Sequence, residues 1–385
     1  MRPSLYKITA VFALFISVVT AQTKTVYQKT FPTTENTKLN LDLTNASVFL
    51  ETSPNDEVQI DFSLEFKNYS KEEVQKILDG IRVDARTQGG NIDFRTASKT
   101  KLSRVSYALN SKDGFVLDSD DWWGKGGGPK NPHKTKEGVL KEIRKNDGVG
   151  SFFEKMKILG EDGKKRPVDL KNVQTIKSKF VIKIPKDLCF QLQGKETQVF
   201  VLDELTQRAD IVIFNGLFRA KNMLNKDSRL SARDTNVYVE NISVKNLSLD
   251  DVSKGIFGSI EHTNCMFKGS KVELGYIGQE VSIRDYNSKI FFYNFDENFE
   301  DLVFKGEYTE LFVYDFEKKV KMKAKGSITL MFDEGETVSS SSGVPVKTLT
   351  TSITKKTKDV FYGRVEVNLE NGVLHVISDK EKQSK

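Results

Sequence analysis

The period of the apolar residues constrains this chain most. KLNLDLTNASVFLET (38–52) and EVQIDFSLEF (57–66) alternate apolar and polar residues at period two, separated by the turn-like SPND. From SKFVIKIPKDLCFQLQ (178–193) to near the C-terminus the chain reads as one short strand after another. TNVYV (235–239), TNCMF (263–267), SKIFFY (288–293), TELFVY (309–314) and SITLMF (327–332) form a loose repeat, each entering a short apolar run from polar or turn-type residues. With Val237, Cys265, Ile290, Leu311 and Ile328 as anchors, the successive spacings are 28, 25, 21 and 17. Recurrence on this scale, with several short strands per unit, predicts a β-solenoid whose coils bury their apolar faces only against neighbours. The expected fold is therefore mainly β, a right-handed parallel β-helix-like solenoid with one short N-terminal helix and a charged, partly disordered insertion. A β-sandwich with strands every 8–12 residues is the rival architecture.

The segments follow from this reading. Residues 1–21 read as a signal peptide: Arg2 and Lys7, the apolar run ITAVFALFISVV, and a small-residue cleavage site placing the cut between Ala21 and Gln22. The run is shorter than the ~20 residues that span a bilayer, and no second long apolar segment follows it. Residues 22–98 open the β domain. They include a helix capped by Ser70, with Glu73 three residues on and Val74, Ile77, Leu78 and Ile81 at helical spacing. Residues 99–177 are a Gly- and Lys-rich insertion, with a short helix expected near EGVLKEIRK (137–145). Residues 178–376 are solenoid coils, and 377–385 a charged tail. The expected location is exported: periplasm, outer envelope surface or extracellular, with no transmembrane segment in the mature chain.

The run FVIKIPKDLCFQLQGKETQVFVLDELTQRADIVIFNGLFRAKNM (180–223) resembles a family of bacterial envelope proteins. This is the adhesin-type domain of unknown function with a β-solenoid ("toastrack") fold. The shared pattern is a strand ending in Ile-Pro-Lys, an apolar strand, and then short strands divided by small turns; KLNLDLTNASVFLETSPNDEVQI resembles the family's opening strand pair. The similarity spans 38–98 and 178–376, with Asn, Asp and Lys where the family has turn glycines. It implies secretion and a surface or envelope role, and it supplies no catalytic residues.

Charge narrows the partners. The chain carries a net charge of +6, of which residues 101–172 supply +5 (16 Lys and Arg against 11 Asp and Glu) and the signal peptide +2. The excess belongs to one segment, whereas a nucleic-acid protein spreads a basic stripe over its folded domain. No nucleic-acid partner is expected. The centre of the insertion, DSDDWWGKGGGPKNPHK (118–134), completes no phosphate or metal motif. Gly126 follows Gly124-Lys125 where a Walker loop needs Ser or Thr, Pro129 takes the third glycine of a dinucleotide fingerprint, and Trp122 takes the third ligand of an EF-hand. Trp122, Trp123, Lys125 and Lys130 suit stacking on a sugar or contact with anionic headgroups. The candidate partners are an envelope component, a glycan or an anionic membrane surface, and no cofactor or metal is expected.

No nucleophile is set beside a base. There is no G-x-S-x-G, and His133, His262 and His375 lie in unrelated contexts. Cys265, near His262, reads as a small buried hydrophobe. Cys189 and Cys265 lie about three coils apart, which predicts two free, buried thiols. Asp234, Asp285 and Asp315, in ARDT, IRDY and VYDF, fall at related points of successive coils. As a ladder they would suit calcium or sugar, and a carbohydrate-active solenoid enzyme, a polysaccharide lyase or hydrolase, is the alternative function. Asp also favours solvated turns, and the acids of NFDENFED (294–301) read as a loop. The reading reached is a non-catalytic surface binding module, adhesin-like in role.

Overall fold

Alternating short strands cannot bury one face alone, and here they do so by winding into flattened coils of two strands each. The computed structural model describes residues 22–99, 102, 105–109, 116–118, 157–159, 165–167, 173–314, 320–332, 337–339 and 363–377. Ala21, the first residue of the expected cleavage pair, and the segment 119–156 lie outside them, while Gln22 opens the strand Gln22–Pro32. Nearly all described strands join a single 26-stranded sheet. The sheet divides into two ladders facing one core.

The first ladder stacks Lys38–Thr44, Phe190–Lys195, Ala209–Phe214, Arg229–Arg233, Asn246–Asp250, Asn264–Lys268, Val281–Tyr286 and Asp301–Glu307, all parallel. The second stacks Ser47–Thr52, Gln198–Val201, Leu217–Met223, Asn236–Ile242, Gly255–Ile260, Lys271–Ile277, Lys289–Phe292 and Glu310–Tyr314 in the same manner. Parallel pairing from coil to coil is the solenoid pattern; a sandwich would pair its strands antiparallel. Past the long first step from Leu39 to Phe190, the advance per coil is nearly uniform, between that of Arg229↔Asn246 and that of Val281↔Leu302. The wider spacings of 28 and 25 read from the sequence arise because Cys265 belongs to the first ladder and Val237 and Ile290 to the second. The interval from Val237 to Ile290 is three coils, through Gly255 and Val272.

Each coil turns between ladders on one residue in the left-handed region: Asn45, Glu196, Asn215, Asp234, Asp251, Gly269, Asn287 and Tyr308 in succession. Asn and Asp tolerate that conformation better than other side chains, which is why this chain can dispense with turn glycines. The next residue points inward, and at five corners it carries a hydroxyl: Thr197, Thr235, Ser270, Ser288 and Thr309. Thr235 donates to the Arg233 carbonyl at 2.7 Å and accepts from the Gly216 amide of the coil below at 3.1 Å. Ser270 repeats the pattern with Lys268 (2.8 Å) and Val252 (3.1 Å), and the Ser270 amide donates to Ser288 at 3.0 Å. On the opposite edge Ser228 and Thr263 accept from Ala209 and Val244. The buried amides of Ala209, Gly216, Val244, Val252 and Ser270 are thereby paired with hydroxyls.

Inside, Leu41, Leu192, Ile211, Leu230, Leu247, Cys265, Ile283 and Phe304 occupy one register row and are all buried. Cys265 is therefore part of the core, as its sequence context predicts. Cys189 is exposed, contrary to the expectation of two buried thiols, because it lies in the bend between Ile184 and Phe190. Four ladder steps separate it from Cys265 rather than three, on the order of 19 Å at the strand spacing, and both cysteines are free.

Both ends depart from simple winding. At the N-terminal end the hairpin Ile81–Gln88/Asn91–Ser98 continues the first ladder, while Gln22–Pro32 and Glu57–Lys67 continue the second antiparallel. Val173–Ile184, which straddles residue 177, enters between Glu57–Lys67 and Ser47–Thr52. The helix Lys71–Asp79 carries the expected capping box: the Ser70 amide donates to Glu73 at 2.7 Å, and the Glu73 amide donates to Ser70 at 3.2 Å. The hydrogen bond from the Ser70 amide holds the Glu73 carboxyl below its ordinary pKa. Ile81 is not on the helix; Gly80 ends it and Ile81 starts the next strand. At the other end SITLMF is not the coil after TELFVY, because Gly363–Ile377 lies between Asp301–Tyr314 and Val320–Phe332.

Thr235→Val removes both an acceptor for a buried amide and a donor, and is expected to lower stability by about 1–3 kcal/mol. Ser231→Ala, on the outward face, should stay within about 0.5 kcal/mol of the parent. Urea midpoints of the two variants check the contrast.

Candidate functional site

Trp122, Trp123, Lys125, Lys130, His133 and Asp315 lie outside the described residues. Of the remaining candidates, Asp234 and Asp285 are not brought together. Asp234 is an exposed corner residue at φ 48°, whereas Asp285 is a strand residue in register with Phe267 and Gly306 and points into the core. The similar tripeptides around them conceal a two-residue offset, so no carboxylate ladder forms between these two. His262 is a corner residue whose Nδ1 lies 3.2 Å from Glu280 Oε2, on the next corner of the same edge. Cys265 points into the core, where burial raises its thiol pKa far above the ordinary value. Among the described residues no cluster of three or more His, Cys, Asp or Glu could hold a metal ion.

Asp285 has a structural task. By the corner pattern, the Ser288 amide would donate to the Thr309 hydroxyl. Instead the Asp285 carboxylate stands between them and accepts from the Ser288 amide at 3.2 Å and from Thr309 Oγ1 at 2.5 Å. Burial raises its pKa, with the hydrogen bonds from Ser288 and Thr309 opposing the shift.

The principal outward feature is one register row of the second ladder, which sequence reasoning missed. Phe49, Phe200, Arg219, Tyr238, Ile256, Glu273, Phe291, Phe312 and His375 occupy equivalent positions on nine consecutive strands. Phe49 and Phe200 stack with centroids 5.2 Å apart, Phe291 and Phe312 at 4.7 Å, and Phe312 and His375 at 4.1 Å. Arg219 lies over the Tyr238 ring at 4.8 Å, Lys179 over Phe49 at 5.3 Å and Lys289 over Phe312 at 4.7 Å. Stacked rings and cation–π contacts of this kind each add about 0.5–1.5 kcal/mol beyond area burial.

The middle of the row is buried. Leu217, Tyr238, Ile256, Phe291 and Tyr293 form a second apolar cluster separate from the main core. Tyr293 donates to the buried Glu273 at 2.8 Å, and burial together with that carboxylate raises the tyrosine pKa far above its ordinary value. Lys271 Nζ stands 3.6 Å from Glu273. The two ends are half-buried: Phe49 and Phe200 at one, Phe312 and His375 at the other. Burial lowers the His375 pKa, opposed by Glu310 at 3.3 Å. The row's signal in the sequence is the residue between two inward apolar ones, in VFL, VFV, VYV, IFF, LFV and LHV. An aromatic set between two inward apolar residues of one strand marks, in this row, a position that faces outward and is buried or half-buried.

No protein-family model matches this chain, and no curated protein matches it. A solved structure described as a candidate cell adhesion protein from Clostridium sporogenes is similar at 10% identity and a TM-score of 0.19, covering 94% of this chain and 100% of that one. A likeness at this TM-score does not establish a shared fold. Among the described residues no helix is long and apolar enough to cross a membrane.

Asp285 gives a pH signature with a definite sign. A raised folded-state pKa means that the folded chain holds the proton more tightly than the unfolded one. Its contribution favours folding below about pH 3.9 and is lost as pH rises through and above that value. Asp285→Asn keeps acceptors for Ser288 and Thr309, so it should stabilise the chain at neutral pH, with the gain vanishing in acid; denaturation midpoints across pH test this. Thiol titration should count one reactive cysteine in the native chain, Cys189, and both in denaturant.

Proposed function

We propose that this chain is an exported, non-catalytic β-solenoid binding module of the cell envelope or surface, adhesin-like in role. The observation that carries the reading is the outward row. Its half-buried ends, Phe49–Phe200 and Phe312–His375, each have a lysine over a ring. Six ladder steps separate Phe200 from Phe312, on the order of 29 Å. Two aromatic stations on one rigid face suit an extended polymer; Lys179 at the first station suits an anionic group of a glycan, while Lys289 at the second is paired with Glu310 at 2.9 Å. The buried titratable groups support the same reading, since Asp285, Glu273 and Tyr293 are each engaged in structural hydrogen bonds. The basic N-terminus, apolar run and Ala21–Gln22 junction support export.

A glycan array and anionic vesicles, both probed with residues 22–385, test this reading. Binding of an acidic polysaccharide is expected, weakened at least about tenfold (1.4 kcal/mol) in the Phe200→Ser/Phe312→Ser variant. Release of new reducing or unsaturated ends from the bound polymer would replace this reading with the carbohydrate-active enzyme. Vesicle binding that disappears on deleting 118–136 would move the contact to the insertion and its two tryptophans.

A further inference from the structure

The C-terminal end of the solenoid contains two strands suited to one position. Every coil from Ala209 to Tyr314 follows its predecessor at a short and nearly constant advance, between that of Arg229↔Asn246 and that of Val281↔Leu302. Val320–Phe332 continues that series. Through the intervening strand, Leu302 aligns with Met322 and Phe304 with Ala324, an advance of 20; Leu311 aligns with Leu330, an advance of 19. Gly363–Ile377 breaks the series, since Leu302 pairs with Val365, an advance of 63. Yet Gly363–Ile377 occupies the position directly on Asp301–Tyr314, and Val320–Phe332 is displaced one rung outward.

The two segments are built alike. Each is one long strand crossing both ladders: Val320–Phe332 has 13 residues and Gly363–Ile377 has 15. The C-terminal strand passes the corner on Asn371 at φ 53°, whereas Val320–Phe332 skips that position between Ser327 and Ile328 and takes its left-handed residue, Gly326 at φ 107°, opposite Leu369. Each places buried apolar residues in the same inward rows, Met322 and Ala324 against Val365 and Val367. Three lysines alternate with the inward residues of 320–325, and Arg364, Glu366 and Asn368 do so in the C-terminal strand.

We propose that Val320–Phe332 and Gly363–Ile377 are alternative occupants of one strand slot on Asp301–Tyr314. The C-terminal strand is then a detachable element, and the solenoid end is a strand acceptor. With Val320–Phe332 in the slot the winding is continuous and the C-terminal strand is released. What fits the slot in trans is a parallel strand with the same alternation, such as residues 363–377 of a second copy.

Disulfide trapping tests the exchange, with Cys189 and Cys265 replaced by Ser in every variant. Phe312→Cys with His375→Cys is expected to cross-link in the full chain, because those positions are paired neighbours and parallel strands lie about 4.8 Å apart, inside disulfide range. Phe312→Cys with Met331→Cys should cross-link little in the full chain and fully in a chain ending at residue 362. Adding a synthetic 363–377 peptide to that truncated chain should bind saturably and suppress the 312–331 bond. Leu369→Asp in the full chain should raise the 312–331 bond at the expense of the 312–375 bond. A truncated chain that fails to fold, or that folds without the 312–331 bond, overturns the proposal. So does a Leu369→Asp chain that loses the 312–375 bond and gains no other.

Discussion

A coil of two short strands must reverse direction within a few residues, and each reversal buries backbone amides and carbonyls. A buried amide left without a partner costs about 1–3 kcal/mol, so a stack of coils cannot leave its corners open. This chain meets the constraint with a left-handed residue followed by an inward hydroxyl, as at Asp234–Thr235 and Gly269–Ser270. The hydroxyl joins its own coil to the one below, so the corner that turns the chain also fixes the vertical register. Ladder pairing, core rows and outward rows all inherit that register.

Inherited register explains why the outward row is continuous. A side chain a fixed step past its corner falls over its equivalent in the next coil, so Phe200 sits over Phe49 and Phe312 over Phe291. Asp285 shows the tolerance of the design. It occupies a core position and still serves the corner, accepting from Ser288 and Thr309 where a hydroxyl would otherwise have received the Ser288 amide directly. A carboxyl so placed is a liability in its charged form, consistent with the upward displacement of its pKa.

The parallel solenoid, the capped helix and the core role of Cys265 were legible in the sequence because each rests on a local period or a short capping pattern. The true coil length was not, because both ladders present the same apolar alternation; Val237 and Cys265 look equivalent until pairing assigns them to different ladders. The Asp234–Asp285 resemblance failed for a related reason, since a two-residue offset from the corner separates a solvated turn from a core carboxyl. The covered outward row was hidden by the assumption that the polar phase of a strand faces water. Tyr238, Ile256 and Phe291 stand in that phase and are buried. The order of the final strands lies beyond any local period, because it depends on a segment from further along the chain.

Coils as short as these, two strands and two corners each, leave little room between their ladders. Their two strands face each other across a core filled by Leu, Ile, Val and Phe, and the crevice lined by Leu50, Thr52, Ile184, Val201, Asp203 and Gln207 is water-sized. Among the described coils the surface on offer is that of the outer faces and the ends. The faces offer repeating rows at fixed spacing, which match an extended partner better than a compact one. The ends offer unpaired backbone, a hazard that solenoids must cover. Here the N-terminal end is covered by antiparallel strands and the C-terminal end by a strand drawn from further along the chain. Repeating outward rows along the faces and closure at the ends are thus two consequences of the same small coil.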